Sequence, residues 1–272
     1  PSVLESKDIP GLARYIKSDH CTNVCVMVRV STSAGIPDFR SPDTGAYLAN
    51  LARLGLPYPE AVFSINFFRQ NPHPFYVLAK ELFPGKYRPT LTHSFVKLLS
   101  DKALLRKCFT QNIDTLERLA GIPANKVIEA HGSFASHRCI DCHASFGDDE
   151  MKKAVESSSI PHCHGCNGLV KPEIVFFGES LPDSFWQAMP VLRHADLLIV
   201  IGTSLVVHPF ASLIDKVPPG CPRVLINMEP AGDIGDLKND VVLLGKCDDI
   251  VRKLADELGW GQDLQTVWDL TE

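Results

Sequence analysis

Apolar residues gather in six short runs along the chain: "VCVMV" from Val24, "RKCFT" from Arg106, "KVIEA" from Lys126, "DLLIVIG" from Asp196, "RVLIN" from Arg223 and "VVLLG" from Val241. Their length and β-branched content predict buried strands. Between most of them apolar positions recur at helical spacing, as in "TLTHSFVKLLSDK" (90–102) and "DDIVRKLADELGW" (248–260). Strands alternating with helices predict an α/β fold in which a parallel sheet is covered on both faces. The proline-rich stretch 41–89 breaks the alternation and predicts loops with two helices; together with a cysteine-bearing segment it reads as material inserted into the sheet domain. No internal repeat and no low-complexity tract is present.

In an open parallel sheet, ligands bind outside the carboxyl ends of the strands. Gln111-Asn112-Ile113-Asp114 follow the second run, His131-Gly132 the third, Gly202-Thr203-Ser204 the fourth, Asn227 the fifth and Gly245-Lys246-Cys247-Asp248 the sixth. Any one of these is an ordinary cap or polar loop. Five strand ends furnished in this way favour a nucleotide-sized ligand. The first run leads into "RVSTSAGIPDFR", the layout of a strand, a turn and a helix start. Turns that cradle dinucleotide phosphates use glycine, because the backbone must approach the ligand closely. Here the turn holds Arg29-Val30 instead.

Of nine cysteines, Cys139, Cys142, Cys163 and Cys166 form two C-x2-C pairs separated by twenty residues. Each pair grips one edge of a tetrahedron, which is the spacing of a zinc site, and four thiolates leave no open position for a water, so the metal is expected to be structural. The odd cysteine count and the five scattered, apolar-flanked others argue against a disulfide framework. His137, His143, His162 and His164 crowd the same segment and are read as surface residues.

With 27 basic and 32 acidic side chains the net charge is −5, so no general basic field points to nucleic acid or anionic membrane. The zinc segment itself carries Asp141, Asp148, Asp149 and Glu150, which would repel phosphate. Neither end shows an apolar signal segment and "ADLLIVIG" is too short to span a bilayer. A soluble intracellular protein is expected.

The segments "STSAGIPDFRS", "TQNIDTLERLAG", "EAHGSF", the two CxxC pairs, "LVKPEIVFFGESLP", "GTSLVVHPFASL" and "LIN" stand in the order seen in sirtuins, the NAD-dependent protein lysine deacylases. The chain resembles this family over nearly its whole length, and most closely its mainly cytosolic deacetylases. The resemblance implies a Rossmann-like NAD-binding domain made of 1–40, 90–134 and 170–262, a cofactor loop and helical insert at 41–89, a zinc ribbon at 135–169 and a C-terminal helix or tail at 263–272. It implies that NAD and one structural zinc are the cofactors and that acetylated lysine proteins, of the histone or tubulin type, are the partners, with neither membrane nor direct nucleic acid involved. A cytoplasmic location is expected, with the nucleus as a second compartment.

In such enzymes the acyl oxygen displaces nicotinamide from the ribose, and a base then takes the proton of an attacking ribose hydroxyl. His131, after a strand in "EAHG", fits that base, since imidazole accepts and returns protons near neutral pH. The resemblance places Asn112 and Asp114 at the ribose and a water in the nicotinamide pocket, with Asn112 counted as catalytic beside His131, and Gln111 at the ribose. It places Ala34, Asp38, Phe39 and Arg40 on the cofactor, Phe39 as a shield against water and Arg40 at phosphate, and gives the adenosine half to Thr203, Ser204, Asn227, Met228, Glu229 and Cys247. Cys247 reads equally as a buried apolar filler. Val175 and Phe176 would wall the acyl-lysine tunnel, between edges where an extended peptide can pair. Members that remove succinyl groups carry a Tyr-x-x-Arg pair where this chain has Ala79-Lys80-Glu81-Leu82, so an apolar acyl group is expected.

The turn departs from the pattern. Sirtuins typically place Gly-Ala-Gly-Ile before "STSAGIPDFR"; this chain has two residues there, and β-branched Val30 resists positive φ. Two readings stand: the sequence lacks part of the turn, or the turn is short and NAD binding weakened. The functional classes are therefore an NAD-dependent deacetylase, an acyl-lysine-binding pseudo-enzyme poor in NAD affinity, a mono-ADP-ribosyltransferase and, weakest, a zinc-ribbon nucleic-acid binder.

Overall fold

The structure, a computed structural model, describes residues 3–36 and 53–272. Its strands in chain order are β1 (Val24–Val28), β2 (Leu105–Thr110), β3 (Val127–Glu129), β4 (Gly132–Cys139), β5 (Val170–Ile174), β6 (Leu197–Ile201), β7 (Arg223–Asn227) and β8 (Asp240–Leu244). All six apolar runs become strands of one sheet, ordered β3-β2-β1-β6-β7-β8, and every pairing in it is parallel. The order reverses between β1 and β6, so connections leave in opposite directions there and a crevice opens at the carboxyl edge.

Strand alternation sorts the core. Val24, Val26 and Val28 of β1, with Leu197, Ile199 and Ile201 of β6, face helices Ile9–Ile16, Leu91–Asp101, Cys247–Glu257 and Gly261–Asp269. Cys25 and Met27, with Leu198 and Val200, face the other way onto helix Asp183–Ala188 and the 3-10 turns after it. Helix Leu91–Asp101 starts at a reciprocal cap in which Thr90 and His93 satisfy one another's backbone and side-chain groups.

A smaller lobe combines the antiparallel pair β4–β5 with helices Ile65–Gln70, His73–Leu82 and Asp148–Glu156. The two helices expected between 41 and 89 are thus present in its described part. Ser64 caps the first of them by accepting from Phe67 N. The insert and the cysteine segment share one core: Phe68, Phe75 and Tyr76 from the insert meet Phe134, Met151, Val155, Cys163 and Phe176 from the other side. Aromatic pairs cross this core edge to face, including Phe75–Phe176 with centroids 5.1 Å apart and Phe68–Phe176 at 5.6 Å. The lobes join at Gly132, whose φ of +64° turns the chain out of β3 and into β4. A Cβ there would lie 1.8 Å from Glu173 O, so only glycine fits.

Candidate active site

Between the carboxyl edge of the sheet and the small lobe lies a cleft of about 600 Å³, within the size range of small-molecule and cofactor sites. Strand ends supply its polar wall. Gln111 continues β2, donating its N–H to Val28 O at 3.0 Å, and is buried. Its Oε1 accepts from Thr203 Oγ1 at 2.8 Å, tying the β2 and β6 turns together across the switch point. Asn112 and Asp114 follow, both buried and both lining the cleft. Asp114 Oδ1 accepts from Leu116 N at 2.8 Å, and Oδ2 takes a short hydrogen bond from Ser31 Oγ. This buried carboxylate therefore fastens the first turn to the second.

His131 stands half-buried in the cleft wall. Its Nδ1 lies 3.3 Å from Gln111 O. A carbonyl only accepts, so Nδ1 carries the proton and the basic lone pair is on Nε2. The backbone oxygen of the same residue accepts from Val175 N at 2.8 Å, which ties the candidate base to the small-lobe wall. Val175 and Phe176 line the cleft there, Phe176 as part of the aromatic core. Ser204, Asn227, Met228 and Glu229 line its sheet end, where Asn227 Nδ2 donates to Glu229 O at 2.9 Å.

Three expected contacts do not line the cleft. Thr203 is turned inward, holding Gln111 and accepting from Leu205 N. Cys247 fills the core at the start of its helix, with Sγ 3.6 Å from Ile226 O and its thiol pushed up to about 11 by burial. Ala34 closes a 3-10 turn, Ser31–Ala34, and packs against the small-lobe core. Asp38, Phe39 and Arg40 lie outside the described residues.

Arg29 and Val30 make the first turn without positive φ. Val30 has φ −119° and is buried in the sheet core, while Arg29 N donates to Ile201 O at 3.0 Å and prolongs the strand. Relief comes instead from Gly202, at φ +69°, where a Cβ would meet Arg29 O at 2.6 Å. Arg29 itself lines the cleft, as do Ser31 and Thr32.

Several cleft residues carried no advance signal. Leu78, Val62, Phe63 and Ile36 join Leu82 and Ile113 to give it an apolar end, and Phe177 flanks it with over half its surface exposed (57%). In sequence they look like ordinary core positions, and only the apposition of the lobes turns them toward a ligand. Buried Lys171 donates to Ile174 O at 2.7 Å and pairs with Glu179 at 2.9 Å, and Glu179 accepts from Phe176 N at 2.9 Å, so the Val175–Gly178 wall is clamped from behind.

Away from the cleft, the Sγ atoms of Cys139, Cys142, Cys163 and Cys166 all lie within 4.8 Å of one another. Cys139 and Cys166 are 3.5 Å apart, as are Cys142 and Cys163. Zinc held by four thiolates at about 2.3 Å sets the sulfurs roughly 3.8 Å apart, so the cluster fits that ion. Backbone N–H groups of Cys166 and Gly165 hold the Cys163 thiol down to about 6, whereas crowding by the neighbouring thiols pushes Cys142 and Cys166 up, so a bound cation is what would let all four ionise together. None of the four lines the cleft.

Comparison with known proteins agrees with this architecture. A Sir2 family model matches residues 29–209. The chain is 53% identical over 270 residues to the NAD-dependent protein deacetylase hst2 of Schizosaccharomyces pombe, covering 98% of this chain and 81% of that protein. It is 58% identical over 271 residues to the NAD-dependent protein deacetylase hst2-1 of Emericella nidulans (99% and 75% covered). It is 48% identical over 285 residues to the NAD-dependent protein deacetylase sirtuin-2 of Danio rerio (97% and 75%). Likeness of this extent, over nearly the whole chain, places the chain in the Sir2 family.

Proposed function

We propose that the protein is an NAD-dependent protein lysine deacetylase, moving the acyl group of a modified lysine to ADP-ribose with release of nicotinamide. The observation that carries this is the meeting of His131, Asn112 and Asp114 with an apolar wall in one cleft of a Sir2-family chain whose relatives bear that name. Bound NAD would supply the electrophilic ribose carbon and the nicotinamide leaving group. The acceptors and amides at the ends of β2 and β6 suit its ribose hydroxyls, and Asn227, Met228 and Glu229 suit the adenosine half.

The chain's own contribution is positioning and proton handling. His131 takes a hydroxyl proton at Nε2 while Nδ1–H stays on Gln111 O, a bond that holds the ring in one tautomer and grows stronger as the ring becomes cationic. Asn112 and Asp114 orient the ribose side of the cleft. An acylated lysine enters along Val175 and Phe176, its peptide pairing as an extended strand between the Gly178–Glu179 edge that follows them and the 204–207 turn, with Phe177 and Val206 exposed on either side. Leu82 lines the cleft where acid-binding members carry arginine, so apolar acyl groups such as acetyl are favoured over succinyl. Histone-type and tubulin-type lysines are the candidate substrates, reached in the cytoplasm with the nucleus as a second site.

Nicotinamide release from NAD, with and without an acetylated peptide, tests the reading. Release is expected only with acetylated peptide present, and His131→Ala should lower steady-state deacetylation of that peptide roughly a hundredfold to ten-thousandfold, the range for losing a general base, because the base acts after nicotinamide has left. Release that is equal with and without acetylated peptide, or an H131A variant at full activity, would remove the reading or the base respectively.

A further inference from the structure

Glu117 sits in the short helix Leu116–Leu119 and is 2% exposed. It does not line the cleft. It faces a small hollow beneath the first turn, together with His93, Val30 and Cys108. An acidic side chain so placed is costly unless it is hydrogen-bonded, and Oε1 is bonded twice. Glu117 Oε1 accepts from Thr110 Oγ1 at 2.6 Å and from Asn112 Nδ2 at 3.2 Å. Thr110 Oγ1 in turn accepts from Asn112 N at 3.0 Å, which closes a triangle of Thr110, Asn112 and Glu117. Only Asn112 of the three reaches the cleft. A carboxamide has a donor end and an acceptor end, and a hydrogen bond at one end decides which is offered elsewhere.

We propose that Glu117 is a positioning residue that takes the Nδ2 hydrogen of Asn112 and thereby presents the Oδ1 acceptor of that carboxamide to the ligand. The inference rests on Asn112 belonging to the cofactor site. Its chemical consequence is selectivity: an acceptor at this point of the cleft matches a hydroxyl or a water and disfavours a group that only accepts. In a reaction that moves a ribose hydroxyl proton, holding that hydroxyl by its hydrogen orients its oxygen. Glu117 touches neither the cleft nor the reacting atoms and acts wholly through Asn112.

The direct readout is the side-chain amide of Asn112 in 15N-labelled full-length protein, identified by its loss in Asn112→Asp. In the wild type this amide should exchange slowly with solvent, and Glu117→Gln, whose amide oxygen still accepts, should keep that protection. Glu117→Met fills the same volume without an acceptor and should lose it. In turnover, the Met variant should fall about tenfold to a hundredfold in kcat/KM for NAD, the scale of one buried hydrogen bond left unmade, while the Gln variant stays near the wild type. A freely exchanging Asn112 amide in the wild type overturns the proposal whether or not any variant folds, and so does a folded Met variant with an intact protected amide. The amide readout needs no turnover. A wild type that releases no nicotinamide yet protects Asn112 therefore leaves the positioning role standing and removes the deacetylase reading.

Discussion

Burial drives the Glu117 carboxyl from 4.5 up to about 8, with the nearby Asp114 charge pushing the same way and hydrogen bonds from Thr110 and Asn112 opposing it. The other ionisable groups around it are His93, whose own burial keeps it neutral, Cys108, whose thiol burial holds protonated, and Arg118 on the same helix. A carboxyl raised in the folded state contributes stability that is complete below its unfolded value and is lost as pH climbs through the folded value. The wild type should therefore lose stability relative to Glu117→Gln as pH rises from about 4.5 to about 8. Urea midpoints of the two proteins across that window check this, and a constant difference would show that Glu117 titrates as it does in the unfolded chain. His93, depressed in the fold, acts in the opposite sense as pH falls below 6.5 and is common to both proteins. Residues of this kind were not legible in advance: Glu117 lies inside the segment "TQNIDTLERLAG", and nothing in that segment says that its side chain points inward. That Gln111, Asn112, Asp114 and His131 would face the cleft was legible because each lies in the turn that follows a strand of a parallel sheet. Thr203 and Cys247 follow strands too, yet point into the protein, since position at a strand end does not set the direction of a side chain.

At the scale of elements, the six parallel strands were readable from their apolar runs because both faces of the sheet are buried, which leaves no polar alternation to confuse them. The small lobe was readable only in parts. Its cysteine spacing announced a metal, but the fusion of the insert and the cysteine segment into a single aromatic core depends on contacts between Phe68, Phe75 and Phe176, far apart in the chain. That shared core makes the metal's influence reach the cleft. β4 ends at Cys139 and β5 begins at Val170, so both strands that bracket Val175 and His131 are anchored at the cluster end. Structural zinc supplies on the order of 10 kcal/mol to modules of this kind. Cys163→Ala should accordingly abolish the bound metal and unfold the small lobe while the parallel sheet stays protected from hydrogen exchange. Protein purified without chelator should carry one zinc per chain by elemental analysis. A metal-free preparation with full exchange protection in β4 and β5 would dismiss the structural role.

Across the whole molecule, the site is a seam between two bodies, and the first turn of the sheet sits at its centre. Gly-Ala-Gly-Ile in this position would offer backbone N–H groups to a diphosphate at a helix start, whereas here Arg29 prolongs β1 and Val30 drops into the core. If two charge-assisted hydrogen bonds of about 1.5 to 3 kcal/mol each are absent, binding loses roughly 3 to 6 kcal/mol. At about 1.4 kcal/mol per tenfold, that is some two to four orders of magnitude in NAD affinity. Arg29 lines the cleft, where its positive charge would offset part of the deficit. Calorimetric titration with NAD should therefore rank three proteins: replacement of Arg29-Val30 by Gly-Ala-Gly-Ile binds tightest, the chain as it stands binds more weakly, and Arg29→Ala binds weakest of all. Tryptic release of the peptide from Val30 to Arg40 confirms the short turn in the protein used. Equal NAD affinity for the short and glycine-rich turns would mean that the diphosphate is held by the ends of β6 and β7 alone, and that the first turn contributes only the junction between the lobes.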